Sequence, residues 1–112
     1  MNSVSTKANE TLQNLADILE QRKNAQAEDS YVASLYASGL GKILEKIREE
    51  ADETIDAAQS DDRQHLIHEV ADLWFHCMVL LAQKNIRHED VLLELDRRFG
   101  TSGLVEKAQR QK

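Results

Sequence analysis

The stretch that decides the fold is His68 to Leu81, HEVADLWFHCMVLL. At about 100° per residue, its apolar residues, from Val70 and Ala71 through Leu73, Trp74, Phe75 and Cys77 to Leu81, cover almost every side of a helix. A helix that is apolar nearly all round belongs in the middle of an assembly. Upstream the pattern continues through Leu66 and Ile67 to Ser60-Asp61-Asp62, a good helix start. This predicts one long central helix from Asp62 to about Lys84, reaching toward a second subunit.

One polar stripe interrupts the apolar surface. His65, Glu69, Asp72 and His76 follow at steps of four, three and four, which aligns them on a helix. Ionised carboxylates are almost never fully buried unless paired or metal-bound. Three readings of the stripe stay open: an acid pair satisfied in the core by His65 or His76, a row facing water, and a metal site. His76 fits either a role orienting Asp72 or core packing. HEVAD, starting at His68, lacks the second histidine of a zinc-protease HExxH helix, and His88 lies too far along to supply it.

Outward from this helix, residues 41–59 form a second amphipathic pattern. Ile43, Leu44, Ile47, Ala51, Ile55 and Ala58 share one face, and Lys42, Lys46, Glu49, Glu53 and Asp56 share the other. Glu49, Glu50 and Glu53 spell EExxE, with Glu50 between the acidic stripe and the apolar face. Like charges three or four apart weaken a helix unless cations compensate. Taken alone, the motif more often means a solvated acidic face. The loop around Ser60 is short, however, so the two helices are expected to be antiparallel neighbours. EExxE and ExxD then face one another, and four or five carboxylates line one groove. Oxygen-only donors suit Mg²⁺ or Mn²⁺ rather than zinc, and such ions clamp phosphate oxygens. Lys42, Lys46 and Arg48 are positioned either to touch substrate phosphates or to make ion pairs along the helix, such as Lys46 with Glu50. Arg97 and Arg98 suit the negative end of a helix dipole, with phosphate binding as the other possibility.

The remaining elements are helical too. Leu12, Leu15, Ile18 and Leu19 mark a helix from about Ala8 to Arg22, after a polar, frayed start. Residues 24–29 read as a connector. Ser30 caps a short helix, Tyr31 to Ser38, with Tyr31, Val32 and Leu35 inward, and Gly39 ends it. A fifth helix, His88 to Phe99, turns Val91, Leu92, Leu95 and Phe99 inward and stops at Gly100. The tail, Thr101 to Lys112, holds Gly103 and a further helical turn around Val105 to Ala108. With no proline, 4 glycines, 41% hydrophobic and 30% charged residues, the expectation is all-α: a compact bundle of about five helices in one domain spanning 1–112.

Composition excludes several classes. A net charge of −6 makes a poor non-specific nucleic-acid binder, although divalent ions let acidic residues hold a phosphorylated small molecule. No segment has the length of a membrane span or the make-up of a signal peptide. The lone Cys77 has no partner for an internal disulfide and suits a reducing compartment. A cytoplasmic protein is expected.

KIREEADETIDAA followed by HEVADLWFHCMVLL resembles the paired EExxE and ExxD motifs of the MazG-like all-α NTP pyrophosphohydrolases. SYVASLYASGLGKILEKIREEADE and VLLELDRRFGTSGLVEKAQR resemble, more narrowly, the stand-alone phosphoribosyl-ATP pyrophosphohydrolases of histidine biosynthesis. The resemblance runs from Leu12 to Arg110. It implies a homodimer whose sites hold Mg²⁺ on Glu49, Glu50, Glu53, Glu69 and Asp72, and a reaction that splits phosphoribosyl-ATP between its α- and β-phosphates. On that reading Glu50, Glu53, Glu69 and Asp72 hold the metal, Glu49 or Glu50 orients or deprotonates the attacking water, and Lys42, Lys46 and Arg97 are candidates for substrate contact. The phosphoribosyl group would find its contacts in the Tyr31–Gly41 segment or near Arg97. One departure is Arg48, where the family often has glycine. The rival readings are a house-cleaning pyrophosphatase for ordinary or modified NTPs and dNTPs, which would use the same acids, and a non-catalytic helical interaction module.

Overall fold

The computed structural model describes residues 3–100, with side chains from residue 10 onward. It contains five α-helices: α1 (Ser3–Gln21), α2 (Tyr31–Ser38), α3 (Leu40–Ala58), α4 (Arg63–Gln83) and α5 (His88–Phe99). Two single 3₁₀ turns, Arg22–Asn24 and Ala27–Asp29, make the connector between α1 and α2. The all-α expectation and the five helices hold. α1 begins at Ser3, ahead of the expected start near Ala8, since its opening residues include no glycine or proline to stop it. The expected helical turn near Val105 lies outside the described residues.

The caps follow from residue chemistry. Ser30 accepts from the Ala33 N–H at 3.1 Å and Asp62 from the His65 N–H at 3.1 Å, each satisfying a donor that the first helical turn leaves open. At the end of α4, Asn85 takes a left-handed backbone (φ 59°). The Ile86 N–H then reaches the Leu81 carbonyl at 2.8 Å and the Asn85 N–H reaches Ala82 at 3.0 Å, a Schellman closure. Gly39 has φ 97° and ψ 176° and caps α2 and α3 at once. That conformation is essentially restricted to glycine, and it turns the chain between the two helices with no spacer residue.

α3 and α4 make the most extensive helix pairing; α2 packs on α3, and α1 on α4. Leu19, Ile43 and Val79 are fully buried, joined by Val32, Leu35 and Met78. Each such side chain contributes about 1.5–3 kcal/mol by leaving water. The Tyr36 hydroxyl donates to the Leu19 carbonyl at 2.9 Å, fastening α2 to the end of α1.

Several apolar positions lie further out than the spacing suggests. On α3 the buried row is Ile43, Glu50 and Ala57, with Ile47 and Thr54 partly buried between them, whereas Leu44 and Ile55 are exposed. The helix carries two adjacent apolar rows, and α4 covers one of them. Ile18 and Tyr31 are about half exposed. Val91, Leu92, Leu95 and Phe99 are also exposed, because the described helices cover that face of α5 only in part. Val91, Leu92 and Leu95 instead join Leu12, Trp74, Cys77, Met78 and Leu81 around an apolar groove of about 230 Å³. Trp74, in the middle of α4, is 61% exposed, so the apolar surface of this helix is only partly covered. Burial pushes the Cys77 thiol pKa up. Among the described residues no helix is long and apolar enough to cross a membrane.

Candidate metal centre

The spacing of the α3 core row places an acid inside the protein. Ile43, Ile47, Glu50, Thr54 and Ala57 follow at alternating steps of four and three, so one stripe carries them all toward α4. α4 answers with Glu69, Asp72, His76 and Val79 at steps of three, four and three. The stripes meet antiparallel. The Thr54 hydroxyl stands 2.7 Å from the Glu50 carbonyl on its own helix and 3.3 Å from the Glu69 carbonyl on the other.

Glu50 is 6% exposed and Glu69 8%. Each has a buried carboxylate oxygen, Oε2, with no hydrogen-bond partner. Such atoms are costly and rare in folded proteins, and a cation between them removes the cost. Ligand oxygens of Glu50, Glu53 and Glu69 all lie within 4.8 Å of one another, and so do ligand atoms of His68, Glu69 and Asp72, so Glu69 belongs to both groups. The donor set is mostly carboxylate oxygen, which fits Mg²⁺ or Mn²⁺.

Charge is distributed unevenly over the acids. The Glu50 pKa is pushed up to about 7, first by burial, then by the hydrogen-bonded, like-charged Glu53 and by Asp72, with Lys46 opposing. Glu49 goes the other way: its hydrogen bond and ion pair with Lys46 (2.9 Å) hold it below the usual carboxylate range. The expected Lys46–Glu50 pair is thus replaced by Lys46–Glu49, because Glu50 turns inward while Lys46 and Glu49 stay at the rim. Glu49 lies outside both ligand groups. Lys42 pairs with Glu45 at 3.6 Å. Arg97 belongs to a different grouping on α5, where with Arg98 it grips Glu94 and holds that carboxyl down at about 2.

The sequence pattern of the phosphoribosyl-ATP pyrophosphohydrolase family matches residues 12–99, a span that contains both acid motifs. The chain belongs to this family. It is similar to the phosphoribosyl-ATP pyrophosphatase of Methylococcus capsulatus, 57% identical over 102 residues that cover 91% of this chain and 97% of the relative. It is likewise similar to the phosphoribosyl-ATP pyrophosphatase of Chromobacterium violaceum, 54% identical over 102 residues covering 91% and 94%.

Two features of this pyrophosphohydrolase-family site, the contacts of His68 and Thr54, escape a motif reading, whereas those of His65 and His76 were among the readings left open. His68, set aside with the zinc-protease pattern, places Nε2 3.3 Å from Asp72 Oδ2, and His65 stands 3.4 Å from Glu69 Oε1. The i, i+4 spacing was the available signal for His68. Thr54 had none, since bridging between carbonyls depends on the helix crossing. His76 is 4% exposed and its Nδ1 lies 2.8 Å from the Asp72 backbone carbonyl, so it packs in the core and touches the main chain of Asp72 rather than its carboxylate. Its Nε2 meets the Tyr31 hydroxyl at 2.8 Å.

Proposed function

We propose that this chain hydrolyses phosphoribosyl-ATP to phosphoribosyl-AMP and pyrophosphate in histidine biosynthesis. The observation that carries the reading is the pair of buried carboxylates, Glu50 and Glu69, each with an unpartnered oxygen, on the two helices that hold the family's acid motifs. Glu50, Glu53, Glu69 and Asp72 are the residues proposed to hold Mg²⁺, with Mn²⁺ as the alternative. When bound, such an ion neutralises phosphate charge and makes a water more acidic. Glu49 is proposed as the group that orients the attacking water and takes its proton. It is ionised, half exposed and outside both ligand groups. Lys46, beside it, and Lys42, one turn earlier, are proposed to face the leaving pyrophosphate.

The exposed apolar rows support a homodimer. Ile67 and Trp74 on α4, Leu44 and Ile55 on α3, and Val91, Leu92, Leu95 and Phe99 on α5 are all exposed, and apolar surface of this kind, where contiguous, marks contact sites. Sedimentation of the purified protein should give twice the 12.7 kDa chain mass. A 12.7 kDa species at micromolar concentration would refute this part. A cytoplasmic location accompanies the biosynthetic role and suits the lone thiol.

The deciding experiment is pyrophosphate release with Mg²⁺, comparing phosphoribosyl-ATP with a panel of NTPs and dNTPs. Fast release from phosphoribosyl-ATP alone, lost in Glu53→Gln with the fold intact, is the expected result. Release from the panel alone would move the protein to nucleotide house-cleaning. No release from any substrate would leave a helical interaction module.

A further inference from the structure

The two ligand groups on α3 and α4 differ in chemistry. The inner one, Glu50, Glu53 and Glu69, offers carboxylate oxygen alone. The outer one, His68, Glu69 and Asp72, adds a ring nitrogen, and its ligand atoms also lie within 4.8 Å of one another. At the roughly 2 Å bond lengths of a hard octahedral cation, opposite ligands stand about 4 Å apart. Each group is therefore compact enough for one ion to reach all its members.

The surroundings differ as well. Glu50 and Glu69 are buried between the helices. The His68 and Asp72 side chains keep 69% and 41% of their surface open, so an ion on the outer group would retain water and room for a phosphate oxygen. An ordinary pair on a helix surface would account for the 3.3 Å approach of His68 Nε2 to Asp72 Oδ2. It does not account for Glu69, which is 8% exposed and has a buried Oε2 with no hydrogen-bond partner. Glu69 stands in both groups, and a carboxylate, with two oxygens, is able to bridge two cations.

Donor type then sorts the ions. Mg²⁺ demands oxygen ligands and gives up its water reluctantly. An imidazole nitrogen beside two carboxylates suits a divalent first-row transition ion better.

We infer that His68, Glu69 and Asp72 form a second cation site, joined to the all-oxygen site through Glu69, in which the His68 nitrogen is a direct ligand and selects a transition ion such as Mn²⁺ over Mg²⁺. The inference rests on the metal-centred reading of the acids.

The test uses Mn²⁺ alone, without nucleotide, on the full chain of the wild type, His68→Asn and His65→Asn, with melting followed in parallel. His65 is the control because its Nε2 lies 3.4 Å from Glu69 Oε1 yet outside both groups. Electron paramagnetic resonance counts the bound ions, and its pulsed form detects a nitrogen bonded to them. The wild type should hold more than one Mn²⁺ per chain and show the modulation of an imidazole nitrogen. His68→Asn should lose that modulation and bind one of the ions about tenfold or more weakly, while His65→Asn should match the wild type. Added Mg²⁺ should displace the nitrogen-free signal ahead of the nitrogen-modulated one. Bound Mn²⁺ without nitrogen modulation in the wild type, or modulation that persists in His68→Asn, would overturn the inference and leave the all-oxygen site standing. A wild type that binds no Mn²⁺ would overturn the metal-centred reading together with it, so the two failures are distinguishable.

Discussion

Glu50 and Glu69 bring their ligand oxygens within 4.8 Å of each other across the α3–α4 pairing, and each keeps one buried oxygen without a partner. The Glu50 pKa is raised first by this burial and then by Glu53 and Asp72 beside it. The pair is better matched to a cation than to the fold that holds it.

The first prediction concerns stability against pH. The Glu50 pKa in the folded protein, about 7, stands above its ordinary value of 4.5. Between those values the folded state keeps a proton that the unfolded state releases. The stabilising contribution is therefore full below 4.5 and lost as pH rises through about 7. Glu50→Gln removes that loss, so the metal-free variant should be more stable than wild type at pH 8, by up to about 3 kcal/mol. The advantage should shrink toward pH 4.5. Urea unfolding in EDTA at both pH values checks this; parallel pH dependence in the two proteins would contradict it.

At the proposed metal site the same proton would couple to the ion. Mg²⁺ held by Glu50 would have to displace it, so affinity should rise with pH, by up to about tenfold per unit below 7. Calorimetry in two buffers of different ionisation enthalpy should show proton release near pH 6.5 that disappears in Glu50→Gln.

Glu49 and Glu69 should fail differently. Glu49→Gln removes the proposed proton acceptor and should lower kcat about 10²–10⁴-fold while Mn²⁺ binding, followed by electron paramagnetic resonance, persists. Glu69→Gln should lose the bound Mn²⁺ signal itself. Loss of metal in both variants would place Glu49 among the ligands.

Thr54→Val removes the hydroxyl that lies between the Glu50 and Glu69 carbonyls. A cost of about 1 kcal/mol is expected in urea unfolding, with Mg²⁺ affinity also weakened because the two acid-bearing helices lose a shared contact. Unchanged stability would show that packing alone holds their register.

Much of this was legible in the sequence because periodicity is local. The five helices, the caps at Ser30 and Asp62, and the meeting of EExxE with ExxD all follow from residue spacing and a short loop. What periodicity could not supply was the identity of the covering surface. The apolar face of α5 was visible at Val91, Leu92, Leu95 and Phe99, but spacing does not say whether the cover comes from the same chain. Likewise α3 has two apolar rows, and only the packing of α4 selects the one with Glu50. The Tyr31–His76 bond joins residues 45 positions apart, and no local pattern encodes it.

Gly39 gives that long-range bond a mechanical setting. α2 leaves this residue directly and carries Tyr31 at its far end, eight residues or roughly 12 Å away at 1.5 Å per residue. An arm of that length turns an angular error into displacement: a 10° swing at Gly39 would move Tyr31 by roughly 2 Å. The 2.8 Å contact with His76 does not survive a shift of that size. One backbone torsion, in a residue without a side chain, therefore shares with the packing of α2 on α3 the setting of the distance between the phenol and His76.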